Sequence, residues 1–253
     1  MPARQALSVT IITRDAAHQI EACLASVAFA DEIMVVDSGS TDGTPEIAVK
    51  HGARVVHQEW LGYGRQKQFA VEQASHDWVL CIDADERVTP QLRASIEAAL
   101  RVPAAAGYAM PRCNFFLGRW LRHGEGYPDW SLRLFDRRRG GWSDDPVHEK
   151  VVCEGEAGRL AGDLLHESCD TLAAYLDKQN RYTSLQAEAL HRAGRRTHAG
   201  QLLLSPLLRF VKFYLLRLGF LDGVAGLVHI LIGCNNSFVK YAKLIELNKR
   251  GAS

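Results

Sequence analysis

The first hundred residues alternate apolar, β-branched runs with short stretches of helical periodicity, and that order leaves few folds open. Residues 7–13 (Leu-Ser-Val-Thr-Ile-Ile-Thr) have the character of a strand buried on both faces. Over 16–27, Ile20, Cys23, Leu24 and Val27 recur at the spacing of one helix face. The same succession then repeats: a strand over 32–36 and a helix over 44–51, then a strand over 53–57 and a helix over 65–74 after the break at Gly62 and Gly64. A fourth strand over 78–82 and a helix over 89–100 complete the series. Strands and helices alternating through short connections predict an α/β fold, a mostly parallel sheet with helices on both faces. Such sheets bind ligands beyond the carboxyl ends of their strands.

Three acidic segments fall at that edge: Asp15 after the first strand, Asp37 after the second, and Asp83 with Asp85 after the fourth. They are expected to converge. If Asp83-Ala84-Asp85 stays extended, both carboxylates point to one side. A carboxylate cluster serves a sugar diphosphate by holding a divalent cation, Mg2+ or Mn2+, against the phosphate oxygens. One of the two carboxylates could then accept from a ribose hydroxyl while the other takes the metal. An Asp-x-Asp triplet alone is a weak signal, but this one follows a buried run and joins the loop 35–44, where Asp37 can accept from a nucleoside and Asp42 can cap the helix that begins at Thr44.

Past residue 100 the alternation ends. Shorter strands are expected near 107–111 and 131–135, and helices over 172–191, 206–220 and 224–249, with a break near Gly233. The chain of 253 residues suits one large α/β domain, placed at 1–169, with a helical extension over 170–253. Its net charge of +1 hides eight arginines from Arg101 to Arg139 against three acids, and an acid-free basic stretch over 189–221. Both suggest an anionic partner, with solvated charged faces as the alternative. Projected as one helix, 206–220 puts Arg209, Lys212 and Arg217 on a basic stripe beside a wide apolar face. That suits a helix lying on anionic lipid, or one packed on the domain with its arginines in water. The six cysteines show neither zinc spacing nor a disulfide framework, which fits a reducing cytosol. The first eight residues lack a signal-peptide pattern and the most apolar stretch, 224–234, is too short to span a bilayer, so neither export nor a spanning segment is expected.

Five segments together resemble the family-2 glycosyltransferases of GT-A fold, and among them the lipopolysaccharide-core enzymes of Gram-negative bacteria. They are Ile11-Ile-Thr-Arg-Asp15, Val36-Asp-Ser-Gly-Ser-Thr-Asp-Gly43, Trp60-Leu-Gly-Tyr-Gly-Arg-Gln-Lys67, Cys81-Ile-Asp-Ala-Asp-Glu86 and Pro146-Val-His-Glu-Lys150. Gly219-Phe-Leu-Asp-Gly223 resembles the tail of the same subgroup. The resemblance implies inverting transfer of a hexose, often glucose, from a UDP-sugar donor to an anionic glycolipid acceptor such as the lipopolysaccharide inner core. It also implies a divalent metal and no nucleic acid. Residues 1–100 would form the nucleotide-sugar half of the domain and 101–169 the acceptor half. The enzyme would sit in the cytoplasm, peripheral at the inner membrane.

Carried over, Thr13, Asp15 and Asp37 would meet the nucleoside, Lys67 the nucleotide or its phosphates, Asp83 the ribose or metal, and Asp85 the metal. His166 or His148 would complete the metal sphere. The family usually has Asn-Glu where this chain has Asp15-Ala16, so Asp15 is left to take over part of that polar role. The base that deprotonates the acceptor is expected in Trp142-Ser-Asp-Asp-Pro-Val-His-Glu149: Glu149, with Asp145 as the alternative. The arginines between Arg112 and Arg139 could meet phosphates or acidic sugars of the acceptor. Two other functions stay open, a polyprenyl-phosphate glycosyltransferase and a nucleotide-sugar-binding module without catalysis. Nucleotidyl transfer would call for a glycine-rich first loop, which the segment after Thr13 lacks.

Overall fold

The computed structural model describes residues 3–144, 149–168 and 171–250. These divide into two compact units, one of 1–112 with 129–167 and a second of 113–128 with 168–253. The sequence boundary at 169 does not anticipate this, because residues 113–128 group with the C-terminal helices.

The first unit is built on a sheet ordered β3-β2-β1-β4-β8-β6-β12-β5, with β11 beside β6. Strands β1 (Leu7–Thr13), β2 (Glu32–Asp37), β3 (Arg54–His57) and β4 (Trp78–Asp83) are parallel. The later strands run antiparallel: β8 (Asp129–Asp136) against β4 and β6 (Gly107–Phe116), and β12 (Leu164–His166) against β5 (Glu86–Val88). Every residue of β1 is buried, as its unbroken apolar run requires of a strand covered on both faces. Its side chains alternate. Val9 and Ile11 join Ile20 and Leu24 of α1 (Ile20–Ser26) and Leu92 and Ile96 of α4 (Pro90–Arg101) in one core, while Ile12 meets Met34, Val36 and Ala70 of α3 (Tyr63–Gln73) on the other face. Helix α4 starts sharply because Thr89 accepts from the Leu92 amide and Pro90 occupies the first turn. Helix α2 (Thr44–Lys50) links β2 to β3, and the pair β9 (Gly140–Trp142) and β10 (Val151–Cys153) forms a separate small ribbon. Beside β6 lies β11 (Gly158–Arg159).

One assumption about the fourth strand fails. Residues 84 and 85 form a turn between β4 and β5, not an extended end, so Asp83 and Asp85 do not share a side. The backbone reverses to begin β5, and the two carboxylates are sent to different neighbours.

In the second unit, α5 (Leu172–Arg192), α6 (Ala199–Phe210) and α7 (Gly223–Arg250) pack together, and β7 (Arg119–Trp120) folds back on the end of β6. The single helix expected over 206–220 is instead three pieces. Helix α6 starts earlier and carries Pro206 inside it, then widens into a π-helical turn, Val211–Leu216, where the Arg217 amide reaches the Lys212 carbonyl. The chain then reverses at Leu218 (φ 56°) into a 3-10 turn, Gly219–Asp222. Nor does α7 break near Gly233. A side chain there would come within 2.4 Å of the Glu125 carboxylate, so this glycine provides room for close packing within an unbroken helix.

At the amino-terminal edge of the sheet, Glu32 accepts from the Ser8 hydroxyl, the Ser75 amide and hydroxyl, and Arg54, which joins β1, β2, β3 and the end of α3. Burial pushes its carboxyl up, but those four donors outweigh burial and hold it at about 2, below the ordinary 4.5. A folded value below the unfolded one gives stability that is complete above the unfolded pKa and lost as pH falls toward the folded one. Glu32→Gln should therefore cost about 1–2 kcal/mol at neutral pH, after discounting for solvent screening. Urea midpoints measured between about pH 5 and pH 2 should fall less steeply for the variant than for the parent chain. Equal slopes would mean that this carboxylate does not supply the acid sensitivity.

Candidate functional site

The carboxyl edge of the parallel strands gathers the residues that the sequence singled out, with unequal freedom. Thr13 and Asp37 are register partners at the ends of β1 and β2, and Asp83 pairs with Ile12 from the other side. The Thr13 hydroxyl is buried and has no hydrogen-bond partner among the described residues, so it is a polar atom that a ligand could satisfy. Asp37 is already engaged. Its Oδ2 accepts from the Gly39 and Ser40 amides, both at 2.9 Å, and its Oδ1 from the Ser40 hydroxyl. Asp15, at φ 50°, accepts from the Thr41 amide at 2.8 Å, and its own amide donates to Ser40 Oγ. Asp42 accepts from the Ala17 amide and from the amide and hydroxyl of Thr44, but the N-cap of α2 is Gly43, so Asp42 braces the first residue of the helix rather than capping it as expected. These carboxylates shape the loop. Gln66, which sequence reasoning passed over inside the segment 60–67, is fully buried and donates to Ser38 Oγ and the Gln58 carbonyl, tying the loops after β2 and β3 together.

A second group surrounds Asp83. Lys67 Nζ lies 3.2 Å from Asp83 Oδ1 and 3.7 Å from Glu149 Oε1, and Arg133 Nη2 lies 3.2 Å from Asp83 Oδ2 and 3.0 Å from Glu86 Oε1. Glu86 is fully buried and also accepts from the Asp83 amide through Oε2. The Trp142 ring lies 4.8 Å from the Lys67 ammonium and 5.7 Å from the Arg133 guanidinium. Burial would push the Asp83 carboxyl up, but the Lys67 and Arg133 charges overcome it and hold the group well below the usual carboxylate range. Burial likewise opposes the Arg133 charge, and Glu86 and Asp83 reverse that, so Arg133 stays protonated. The cluster thus keeps a fixed acceptor, Asp83, beside a buried cation and a second carboxylate, Glu149. The alternative base, Asp145, and His148 lie outside the described residues.

Asp85 turns away to His166, whose Nε2 is 3.3 Å from Asp85 Oδ2. The antiparallel pairing of β12 with β5 makes that contact, because it sets His166 opposite Glu86, next to the turn that carries Asp85. One carboxylate and one imidazole, both partly exposed, suit a divalent cation that takes its remaining ligands from phosphate and water. Among the described residues, no group of three or more histidines, cysteines or acids is assembled to cage an ion. The residues present therefore fit a cation shared with an incoming diphosphate, with Asp85 and His166 as the protein's share. Asp83, already neutralised by two cations, is suited to accepting from a hydroxyl.

Most of the arginines between 112 and 139 are engaged within the unit. Arg112 pairs with Asp129 and Glu86, Arg133 with Asp83 and Glu86, Arg138 with Asp77 and Asp136, and Arg139 with Glu154. The excess positive charge in the sequence over this stretch is met by acids distant in sequence, which a count along the chain does not see. Arg133 is the functional candidate that sequence reasoning missed. Its one signal was a lone cation inside the otherwise apolar Leu132-Arg-Leu-Phe135 of a strand.

Residues 8–154 match the family described as Glycosyl transferase family 2. The chain is 30% identical over 248 residues to the lipopolysaccharide core biosynthesis glycosyltransferase LpsC of Rhizobium meliloti, covering 95% of this chain and 92% of that one. It is also 30% identical over 255 residues to an uncharacterized glycosyltransferase of Rickettsia typhi, covering 96% of this chain and 87% of the other. In fold it is similar to the mannosyltransferase PcManGT of Pyrobaculum calidifontis, solved with GDP-Man and Mn2+, at a TM-score of 0.54 and 18% identity over 98% of this chain and 87% of that one.

Glu86 is fully buried and its nearer cation partner is Arg133, at 3.0 Å against 3.7 Å for Arg112. Arg133→Met should lower stability by about 3–5 kcal/mol, as expected when one partner of a buried pair is removed. Arg133→Met with Glu86→Gln should recover at least about 1 kcal/mol of that loss in a double-mutant cycle of urea unfolding. Strict additivity of the two substitutions would dissolve the pairing.

Proposed function

Because the chain belongs to glycosyl transferase family 2, we propose that it moves a hexose, with glucose the leading candidate, from a UDP-sugar to the lipopolysaccharide inner core or a related anionic glycolipid. Transfer is a single displacement with inversion. The observation that carries this reading is the pair of neighbouring arrangements at the sheet edge: Asp83 with Lys67 and Glu149, and Asp85 with His166. The first offers a hydroxyl acceptor, a cation and a base within a few ångströms. The second offers the ligands for a cation shared with phosphate. The likeness to LpsC, across nearly the whole of both chains, supports the choice of acceptor.

In this reading the nucleoside satisfies the buried Thr13 hydroxyl and borders Asp37, and the ribose donates to Asp83. Lys67, released from its bridge between Asp83 and Glu149, moves its charge toward the departing phosphates. Glu149 takes the proton from the attacking acceptor hydroxyl as its oxygen bonds to the anomeric carbon. The bond from that carbon to the diphosphate breaks with its electron pair leaving on UDP. A divalent metal, when bound by Asp85 and His166, supplies charge for that leaving group. Asp15 holds the loop that shapes the nucleoside site. A nucleotide-sugar half over 1–100, followed by an acceptor half, belongs to the same proposal, with residues 113–128 grouped with the helices after 167. The reaction is placed on the cytoplasmic side, in keeping with the scattered cysteines.

The reading is tested by UDP release with a panel of UDP-hexoses, Mg2+ or Mn2+, and a truncated lipopolysaccharide acceptor. Release that depends on acceptor and metal supports it, and no turnover with any donor overturns it. Glycosylation of a polyprenyl phosphate in preference to the lipopolysaccharide would reassign the acceptor. Asp85→Ala should lower metal-dependent turnover by about 10²-fold or more while the circular dichroism spectrum is kept. Glu149→Gln should retain donor binding by calorimetry and slow transfer by about 10²–10⁴-fold. Unimpaired transfer by that variant would move the base to Asp145.

A further inference from the structure

Half of the large apolar side chains that stand exposed among the described residues fall between Leu203 and Phe238, about a seventh of the chain. The most open are Leu203, Leu216 and Val224, each three-quarters exposed or more (75%, 75% and 76%). They lie on α6, on the π-helical turn after it and at the start of α7. Leu218 and Leu221, also exposed, sit on the reversal that joins these pieces. Scattered apolar exposure is ordinary on a monomer, but a concentration of this kind over elements that pack against one another, α6, the two turns after it and α7, marks an interaction surface.

The charge of this surface identifies its partner. From residue 199 to residue 245 the chain has one acid, Asp222. That carboxylate is 1% exposed and taken up by the Arg122 and His123 amides and His123 Nδ1. The exposed cations remain. Lys212 and Arg217 lie 5.0 and 5.9 Å from the Phe213 ring, and Arg119 on the adjoining hairpin donates to the Leu221 carbonyl. Arg209, which the sequence projection counted in the same stripe, is withdrawn from it into a pair with Glu125 and a bond to Ser237 Oγ. Leu117, at the tip of that hairpin, is again exposed.

No single helix among the described residues is long and apolar enough to cross a membrane. The two segments that pass the test together, Gly200–Leu216 and Gly219–Arg250, are bent by 75° at their junction. A helix pair bent this sharply, through a π-helical turn and a reversal, suits a path along the headgroup region rather than a straight crossing of the hydrocarbon. We propose that this surface is a monotopic docking site for an anionic bilayer, with the leucines at the headgroup–acyl boundary and Lys212, Arg217 and Arg119 against lipid phosphates. The proposal stands on the second unit alone and does not depend on which sugar is transferred.

The full chain would be sedimented with phosphatidylcholine vesicles with and without about 30 mol% phosphatidylglycerol, at about 0.1 M and about 0.5 M salt. Binding to the anionic vesicles should be at least about tenfold stronger, and salt should weaken it without abolishing it. Leu216→Glu and Leu203→Gln should each weaken binding by about tenfold or more, and Lys212→Glu with Arg217→Glu should erase the preference for anionic lipid. All sit on exposed positions, and unchanged circular dichroism would confirm that the variants fold. Equal binding by parent and leucine variants would overturn the proposal. So would a leucine variant that changes a dimer to a monomer in light scattering without changing its affinity for vesicles, which would assign the surface to a second copy of the chain.

Discussion

The guanidinium of Arg133 is shut away from water between two carboxylates, and the carboxyl edge of the sheet is arranged around that charge. A cation in this position is tolerable only because Glu86, wholly buried, and Asp83 face it. Glu86 in turn takes the Asp83 amide, so the strand end, the turn over 84–85 and the start of β5 are fixed by one set of bonds. From β5 the consequence passes to β12, whose antiparallel pairing sets His166 beside Asp85. The turn that aims Asp85 at His166 thus starts from the strand end that Arg133 holds.

Charge balance sets the two carboxylates apart. Asp83 is flanked by Lys67 and Arg133, which leaves it a strong hydrogen-bond acceptor with little net charge to offer a metal. Asp85 has an imidazole for a partner, and a neutral imidazole and a carboxylate can share a divalent cation where an ammonium and a carboxylate cannot. The turn over 84–85 therefore gives the two carboxylates of the Asp-x-Asp segment different partners.

The parallel half of the sheet was legible in the sequence because a strand buried on both faces must be a continuous apolar run, and β1, β2 and β4 each declare themselves that way. The place of Asp83 at the sheet edge was legible for a related reason, since a polar group directly after such a run lands there, whereas Lys67, inside α3, was singled out only through the family resemblance. Arg133 was not. Its partners lie 50 and 47 residues away, and nothing local separates an arginine in a half-apolar strand from a solvated one. The engaged carboxylate of Asp37 was equally hidden, because whether a loop acid faces a ligand or its own amides is decided by backbone angles that composition does not carry.

The same limit explains the C-terminal helices, where a projection at fixed angle per residue misplaced Arg209. Helical wheels assume one unbroken cylinder, and each residue beyond a π-helical turn is rotated relative to that assumption. Here the turn at Val211–Leu216 and the reversal at Leu218 separate the arginines into two environments. Arg209 goes to Glu125 and Ser237 inside the unit, while Arg217 stays at the surface with the Tyr127 carbonyl. Gly233 makes the first of these possible, because any side chain there would meet both Glu125 and Arg209. An apolar stretch with its inner cation neutralised and its outer cations exposed is more one-sided than the sequence alone implies, with charge only where water or a lipid phosphate can reach it. Such a surface gains most from an interface that is apolar on one side and anionic on the other, and least from bulk water or hydrocarbon alone.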